Sequence, residues 1–261
     1  MSGALSYVFC LVRSTRPPSL RGITDGMPGG SDLRAVDVDQ GLWAVVQSVR
    51  ASEYGEEALA GGLQNFDWVG PRAIAHERVI EAFLSLPALL PMQLFTLFTS
   101  DARVVEHVRA DRTRINRILK RIEKKVEFGL RLTFADPNGA RRTATKRAAG
   151  SAGVTGPRSG AAYLARKRDI LDVNRSRLAE ARKIADRLYK VMGKQAAASR
   201  RRTSLERAAP GSRLLLDAAF LVAIAKSGAF KSAVRQRTRE LRGSGVDVSL
   251  TGPWPAYNFI Q

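Results

Sequence analysis

The chain has 261 residues, 44% of them hydrophobic and 26% charged, enough to bury one large core or two ordinary ones, which excludes wholesale disorder. Its 43 lysines and arginines against 24 acids give a formal net charge of +19. A field of that size favours acidic partners such as nucleic acid, anionic membrane or an acidic protein surface, with a merely solvated basic surface as the alternative reading. A single cysteine excludes an internal disulfide and a cysteine-based zinc site.

The apolar run Tyr7-Val8-Phe9-Cys10-Leu11-Val12 reads as a buried strand, with Cys10 a small core hydrophobe rather than a nucleophile. No cationic region precedes it, so it is not read as a secretory signal. Pro17-Pro18 and residues 26–30 mark a loop. Strands are expected over 33–38 and 42–49, joined into a hairpin by Asp39-Gln40-Gly41. Helices are expected over 52–63 and 71–86. The second opens on Pro71, presents Ile74, Val79, Phe83 and Leu86 as its apolar face, and is stopped by Pro87. Ser100 then caps one long helix in which Val104, Val105, Val108, Ile115, Ile118, Leu119 and Ile122 lie at helical spacing. Its other face carries Arg103, Arg109, Arg112, Arg114, Arg117, Lys120 and Arg121, and a strand over 126–134 follows. Strands with two covering helices make an α+β sandwich.

Residues 135–159, rich in Gly, Ala, Thr and Arg and with few large apolar side chains, read as a flexible basic linker. It separates a first domain, 1–134, from a smaller second one, 160–261. Ser159 is placed to cap a helix reaching about 191, along which Leu164, Leu171, Leu178, Ala185 and Met192 recur every seven residues. Ile170, Ala181, Ile184 and Leu188 widen that stripe. It serves either a coiled coil, interrupted by Lys167 and Asn174, or packing against the domain's own sheet. A basic loop over 193–212 holds Arg200-Arg201-Arg202; a strand over 213–225, a helix over 227–242 and a last strand ending at Leu250 complete the domain. In that strand Val246, Val248 and Leu250 alternate with Asp247, Ser249 and Thr251, and Gly252-Pro253 is expected to end it. Trp254, Tyr257 and Phe259 then form an aromatic tail. Either it folds back to cover the open side of a sheet or a domain junction, or it forms an apolar patch that holds another protein.

Few residues offer chemistry. His76 and His107 fall on different helices and neither has metal-ligand spacing. His76-Glu77 has the makings of a general base, but no nucleophile or oxyanion motif accompanies it, so a structural histidine is the plainer reading. There is no phosphate-binding glycine loop, nucleophile elbow or dinucleotide fingerprint. The longest other apolar stretch, 214–225, contains Asp217 and is too short to span a bilayer. The expectation is a soluble cytosolic protein that is not an enzyme, with no catalytic, cofactor-binding or metal residue, no cofactor, no small-molecule substrate and no membrane. The rival is a basic nucleic-acid-binding protein, since neutralising phosphates needs only lysine and arginine. Against a specific reader, no zinc finger, RNA-recognition signature or helix-turn-helix is visible, and Arg141-Arg142 and Arg200 to Arg202 have no aromatic neighbours in sequence. Nonspecific nucleic-acid adhesion remains expected.

Six segments recur in a known order. They are Ala75-His76-Glu77-Arg78-Val79-Ile80-Glu81, Leu90-Pro91-Met92 through Thr96-Leu97-Phe98, Val126-Glu127-Phe128-Gly129-Leu130-Arg131-Leu132, Gly160-Ala161-Ala162-Tyr163-Leu164, Leu216-Asp217-Ala218-Ala219-Phe220-Leu221-Val222, and Thr251-Gly252-Pro253-Trp254-Pro255-Ala256-Tyr257-Asn258-Phe259-Ile260. Together they resemble the GvpF/GvpL family, accessory proteins of gas-vesicle assembly. Two departures stand out: Gln93 and then Leu94-Phe95-Thr96 replace the family's usual basic residue and Phe-Gly-Thr, and Asp217 replaces a common asparagine. The resemblance implies an α+β protein of two domains, a ferredoxin-like α/β sandwich followed by a smaller α+β domain with a long helix. It implies a role in gas vesicle organisation and assembly, in the cytoplasm and at the vesicle, with the shell protein and other accessory proteins as partners. The shell subunit is small, very apolar and prone to self-association, so a noncatalytic holding role follows, with inclusion as a minor vesicle component. Arg114, Arg117 and Arg121 are the expected electrostatic contact, or else a solvated face, and Trp254, Tyr257 and Phe259 the expected apolar one.

Overall fold

The computed structural model describes residues 3–24, 26–39, 41–135, 160–203 and 211–260. Contacts divide the chain into two units, Met1–Glu127 with Pro253–Gln261, and Phe128–Gly252. Each has its own sheet.

In the first unit, β1 (Ala4–Arg13) pairs antiparallel with β3 (Leu42–Arg50), and β2 (Arg34–Asp39) pairs antiparallel with β3. Two short strands, β4 (Ala88–Pro91) and β5 (Leu97–Phe98), pair antiparallel with β1. The strand order β2-β3-β1-β4 and these directions are those of a ferredoxin-like sheet. One departure is that residues 14–24 and 26–33, where a first crossover helix belongs, carry none. Gln47 organises part of this loop: its buried amide accepts from Met27 N at 2.6 Å and donates to Ser31 O at 2.5 Å. A Cβ at Gly26 or Gly30 would lie 2.5 Å from that side chain, so glycine is what fits there.

The unbroken apolar run in β1 has a physical cause. The register slips between Val8 and Cys10, so Tyr7, Phe9, Cys10 and Val12 all join one core with Val45, Val49, Val79, Ile80 and Phe83. Behind that core lies α3 (Phe66–Glu81), whose N-cap Asn65 accepts from Asp67 N. It starts five residues earlier than Pro71, which sits inside it. Its buried residues are Ala75, His76, Val79 and Ile80, whereas Ile74 is exposed, so the apolar face is rotated from the expected one. The helix before it is two short ones, α1 (Ala51–Tyr54) and α2 (Glu56–Gly62), broken where Gly55 adopts extended backbone.

Ser100 does cap α4 (Asp101–Ala110), accepting from Arg103 N at 3.3 Å. The expected long helix is interrupted at Asp111, after which α5 (Arg112–Ile122) begins. Both pack on the sheet, α4 against β1 and β2, α5 against β4, through Val104, Val108, Ile115, Ile118, Leu119 and Ile122. Asp101 pins α4: it accepts both a bidentate pair from Arg34 at 2.6 and 2.8 Å and the Ser6 hydroxyl at 2.5 Å.

The second unit is built on a sheet of order β7-β8-β6-β9, from β6 (Lys125–Ala135), β7 (Ala198–Arg201), β8 (Ser212–Ala223) and β9 (Val246–Trp254). Two helices, α6 (Gly160–Gly193) and α7 (Ser227–Glu240), pack on β8 and on each other. Phe128, Phe220 and Phe230 meet with ring centroids 5.3 and 5.6 Å apart. β6 is therefore an inner strand of this sheet rather than the last strand of the first one. The contact boundary falls at 127/128 and again at 252/253, in place of the limits 1–134 and 160–261 read from the sequence. Most of the linker expected over 135–159 lies outside the described residues, as do Ser159, Arg141-Arg142 and Gln40. The basic loop over 193–212 contains a strand, β7, that has no hydrophobic alternation to reveal it. β9 does not end at Gly252-Pro253 but runs on to Trp254: Gly252 takes φ +102 and β9 is an edge strand, where proline is tolerated.

Candidate functional site

The aromatic tail and α3 meet in the first unit. Pro255 to Phe259 turns back as a short 3-10 helix (Tyr257–Phe259). There the Tyr257 ring packs against the core cluster and its hydroxyl donates to Glu77 Oε1 at 2.9 Å. Asn258 is fixed to the buried Glu127, whose two oxygens accept from Asn258 N at 2.8 Å and Nδ2 at 2.6 Å. Burial, then the neighbouring Glu77 carboxylate, raises the Tyr257 hydroxyl pKa. Burial also raises Glu77, opposed by the Tyr257 bond and reinforced by Glu81. Of the three aromatics expected to face a partner, Phe259 is buried and Tyr257 half-buried, while Trp254 stays exposed at 38%. The sequence reading missed Glu127 and Asn258; a lone carboxylate inside the apolar stretch Val126 to Leu132 was the available signal.

His76 sits one residue away on α3, buried among Tyr7 and Phe9. Its Nε2 lies 3.2 Å from the Met92 carbonyl, which only accepts, so the ring proton is there. Nδ1 must then accept from the Tyr7 hydroxyl at 2.8 Å, and that hydroxyl in turn accepts from Phe95 N at 3.2 Å. Every polar atom of the node is partnered, and burial drives the imidazole pKa down to about 4. A neutral, fully bonded histidine of this kind ties α3 to the Leu-Pro-Met segment. Phe95 itself holds φ +65, the left-handed region, at the place where the resembling family carries glycine; its ring stacks on Trp68 at 5.4 Å. Cys10 is fully buried, with its thiol pKa raised by burial.

The cationic face of the unit is α5. Arg114, Arg117 and Arg121 are exposed and, three and four residues apart, share one side of the helix. Arg114 is paired with Asp111 at 2.6 Å. Beside this side lies a cleft of about 540 Å³ lined by Arg13, Arg109, Arg112, Asn116, Lys120 and Asp39 among others. Its three arginines already have acceptors: Arg109 donates to Val38 O at 2.8 Å, Arg112 pairs with Asp39 at 2.7 Å, and Arg13 donates to Asn116 at 2.7 Å. The arginines and the aromatic tail are thus held by different elements, α5 for one and α3 with Glu127 for the other.

In the second unit the arginine cluster is turned to internal use. Arg202 donates to Asp217 Oδ1 at 2.5 and 2.8 Å and Arg131 to Asp217 Oδ2 at 3.2 Å, around a carboxylate whose side chain is 4% exposed. Arg201 pairs with Asp186 at 2.6 Å and lies over the Tyr189 ring at 4.7 Å, an aromatic neighbour invisible in the local sequence. Gly129 sits where a Cβ would be 2.6 Å from Thr251 Oγ1 and 3.1 Å from Arg202 Nη2, which accounts for glycine in the middle of β6.

Among the described residues no group of His, Cys, Asp and Glu is placed to hold a metal ion, and no helix is long and apolar enough to cross a membrane. The family described as "Gas vesicle synthesis protein GvpL/GvpF" matches over residues 5–261. Gas vesicle protein L of Streptomyces sp. (strain CB03234) is 30% identical over 264 residues, covering 98% of this chain and 92% of that protein. The crystal structure of the gas vesicle protein GvpF from Anabaena sp. PCC7120 superposes with a TM-score of 0.68 at 14% identity, covering 99% of this chain and 97% of that one. For GvpF from Microcystis aeruginosa the TM-score is 0.65 at 12% identity, with 98% and 99% covered. A match over nearly the whole length, and a shared α+β fold, place the chain: it belongs to the GvpL/GvpF family of gas vesicle synthesis proteins.

Proposed function

We propose that this protein is a noncatalytic accessory factor of gas vesicle assembly, which holds the shell subunit and other accessory proteins until they join the growing shell. The whole-length likeness to GvpL/GvpF proteins carries the reading. The surface that supports a holding role is in the first unit. Arg114, Arg117 and Arg121 offer a row of charges to acidic residues of a client. Trp254 offers exposed apolar area of the kind that anchors interfaces. Tyr257 and Phe259 serve that role from inside, by fastening the tail through Glu77 and the core. The protein works in the cytoplasm during assembly and at the vesicle surface, and a fraction stays as a minor vesicle component.

The test is retention of the purified shell subunit by the immobilised protein. Trp254→Ala and Arg117→Glu each change an exposed side chain, so both variants fold. Each is expected to lower retention by about fivefold to tenfold, the loss of roughly 1 kcal/mol or more that an interface anchor gives. Wild-type retention by both variants overturns this assignment of the surface.

A further inference from the structure

Along α6 the apolar stripe divides into two halves. Toward the end of the helix, Ala181, Ala185, Leu188 and Met192 are buried. Toward its start, the same stripe is exposed: Leu164 is 62% exposed, Ile170 54% and Leu171 53%. Nine large apolar side chains are exposed among the described residues, and these three lie on one stripe within residues 164–171. Leu164, Leu171 and Leu178 continue the seven-residue series of the buried Ala185 and Met192, turning by only about 20° per step, so one slowly winding seam runs from covered to bare.

Charge flanks the bare half on both sides. Arg168, Arg175 and Arg182, seven residues apart and all exposed, line one shoulder of the seam; Arg166 and Arg177, also exposed, line the other. The acids of this stretch, Asp169 and Asp172, lie on the back of the helix. In helix pairing the shoulder residues choose the partner while the seam supplies burial. We infer that the exposed half of α6 docks an amphipathic helix of another protein, one whose apolar seam is flanked by glutamate or aspartate. A second copy of this chain does not fit. Two such helices bring arginine against arginine at the shoulders whether they run parallel or antiparallel. Lys167 and Asn174, which interrupt the seam, add the polar contacts that set register in such pairs. The inference rests on α6 alone and stands apart from the first-unit surface proposed above.

The probe is a synthetic helical peptide with leucine at its seam positions and glutamate on both shoulders, followed by fluorescence anisotropy with the full chain. Two control peptides separate the contributions, one with lysine shoulders and one with glutamate shoulders but serine in the seam. The last guards against simple attraction to a chain of charge +19. The first peptide is expected to bind, the lysine peptide not to bind, and the serine peptide to bind at least about tenfold more weakly. Leu171→Ser in the protein is expected to cost about tenfold as well. The triple variant Arg168→Glu, Arg175→Glu, Arg182→Glu is expected to reverse the preference in favour of the lysine peptide. All four substituted side chains are exposed, and circular dichroism checks that folding is retained. Equal binding of the leucine and serine peptides, or unchanged binding by the triple variant, overturns the inference. So does sedimentation showing a dimer that Leu171→Ser dissociates, since the seam is then covered by a second copy.

Discussion

His76 shows how one buried side chain makes stability depend on pH. Its neutral form is selected twice, by the Tyr7 hydroxyl donating to Nδ1 and by Nε2 donating to the Met92 carbonyl. A second proton would sit on Nδ1 facing Tyr7, whose hydroxyl already accepts from Phe95 N. The folded pKa of about 4 lies below the ordinary 6.5. The unfolded chain therefore takes up the proton first, and the stabilisation is complete above pH 6.5 and lost as pH falls toward 4. The span corresponds to roughly 3 kcal/mol. Glu77 works the other way in the same region, because its raised pKa makes protonation favour the folded state; being half-exposed, it offsets only part of the loss. Glutamine can accept from Tyr7 and donate to Met92 without titrating. His76→Gln is thus expected to keep most of the stability at pH 7.5 and to flatten its decline between pH 6.5 and 4. Urea melts at a series of pH values measure this, and an acid limb as steep as the wild type's would remove His76 as its cause.

At the scale of elements, Asp217 on β8 gathers Arg202, just beyond β7, and Arg131 on β6. Removing the buried carboxylate takes a charged acceptor from both guanidinium groups, and since both arginines are about one-third exposed the cost is below that of a fully buried pair. Asp217→Ala is expected to lower the stability of the second unit by about 2–3 kcal/mol. Asp217→Asn, the residue common in the family, is expected to cost less because it still accepts a hydrogen bond. Denaturant melts of the two variants check the order, and a larger loss for asparagine than for alanine contradicts it. This node also marks how far the sequence could be read. Strands with a two-residue period or a dense apolar run, β1, β3, β8 and the first part of β9, were visible because burial itself writes that pattern. The breaks at Gly55 and Asp111 were not, since the apolar spacing on either side continues through them. Nor was β7, whose Ala-Ser-Arg-Arg is an edge strand held by partners distant in sequence. The placement of β6 in the second sheet depends on which strands it pairs with, a choice periodicity does not encode. The tail's three aromatics announce themselves in the sequence, whereas its anchors on Glu77 and Glu127, 180 and 131 residues away, are beyond local reasoning.

For the molecule as a whole, the question is what a net charge of +19 does once the individual arginines are located. Several are spent inside the fold: Arg34 on Asp101, Arg112 on Asp39, and Arg202 with Arg131 on Asp217. Arg200 to Arg202, three arginines in a row, includes two that grip acids of their own unit. Among the described residues, many other cations lie on exposed helix faces such as α5 and the first half of α6. A distributed field of that kind attracts phosphates without reading bases, because base readout needs side chains placed in a groove rather than charge alone. Binding to duplex DNA is therefore expected to be equal for unrelated sequences and to collapse with salt. Between 50 and 200 mM, about a thousandfold loss follows if some six phosphates are neutralised. A filter-binding titration on two unrelated duplexes measures both the slope and the selectivity. Tight binding of one duplex over the other at physiological salt would mean that a reading element exists in this fold, and the basic surface would then belong to nucleic acid rather than to an acidic protein client.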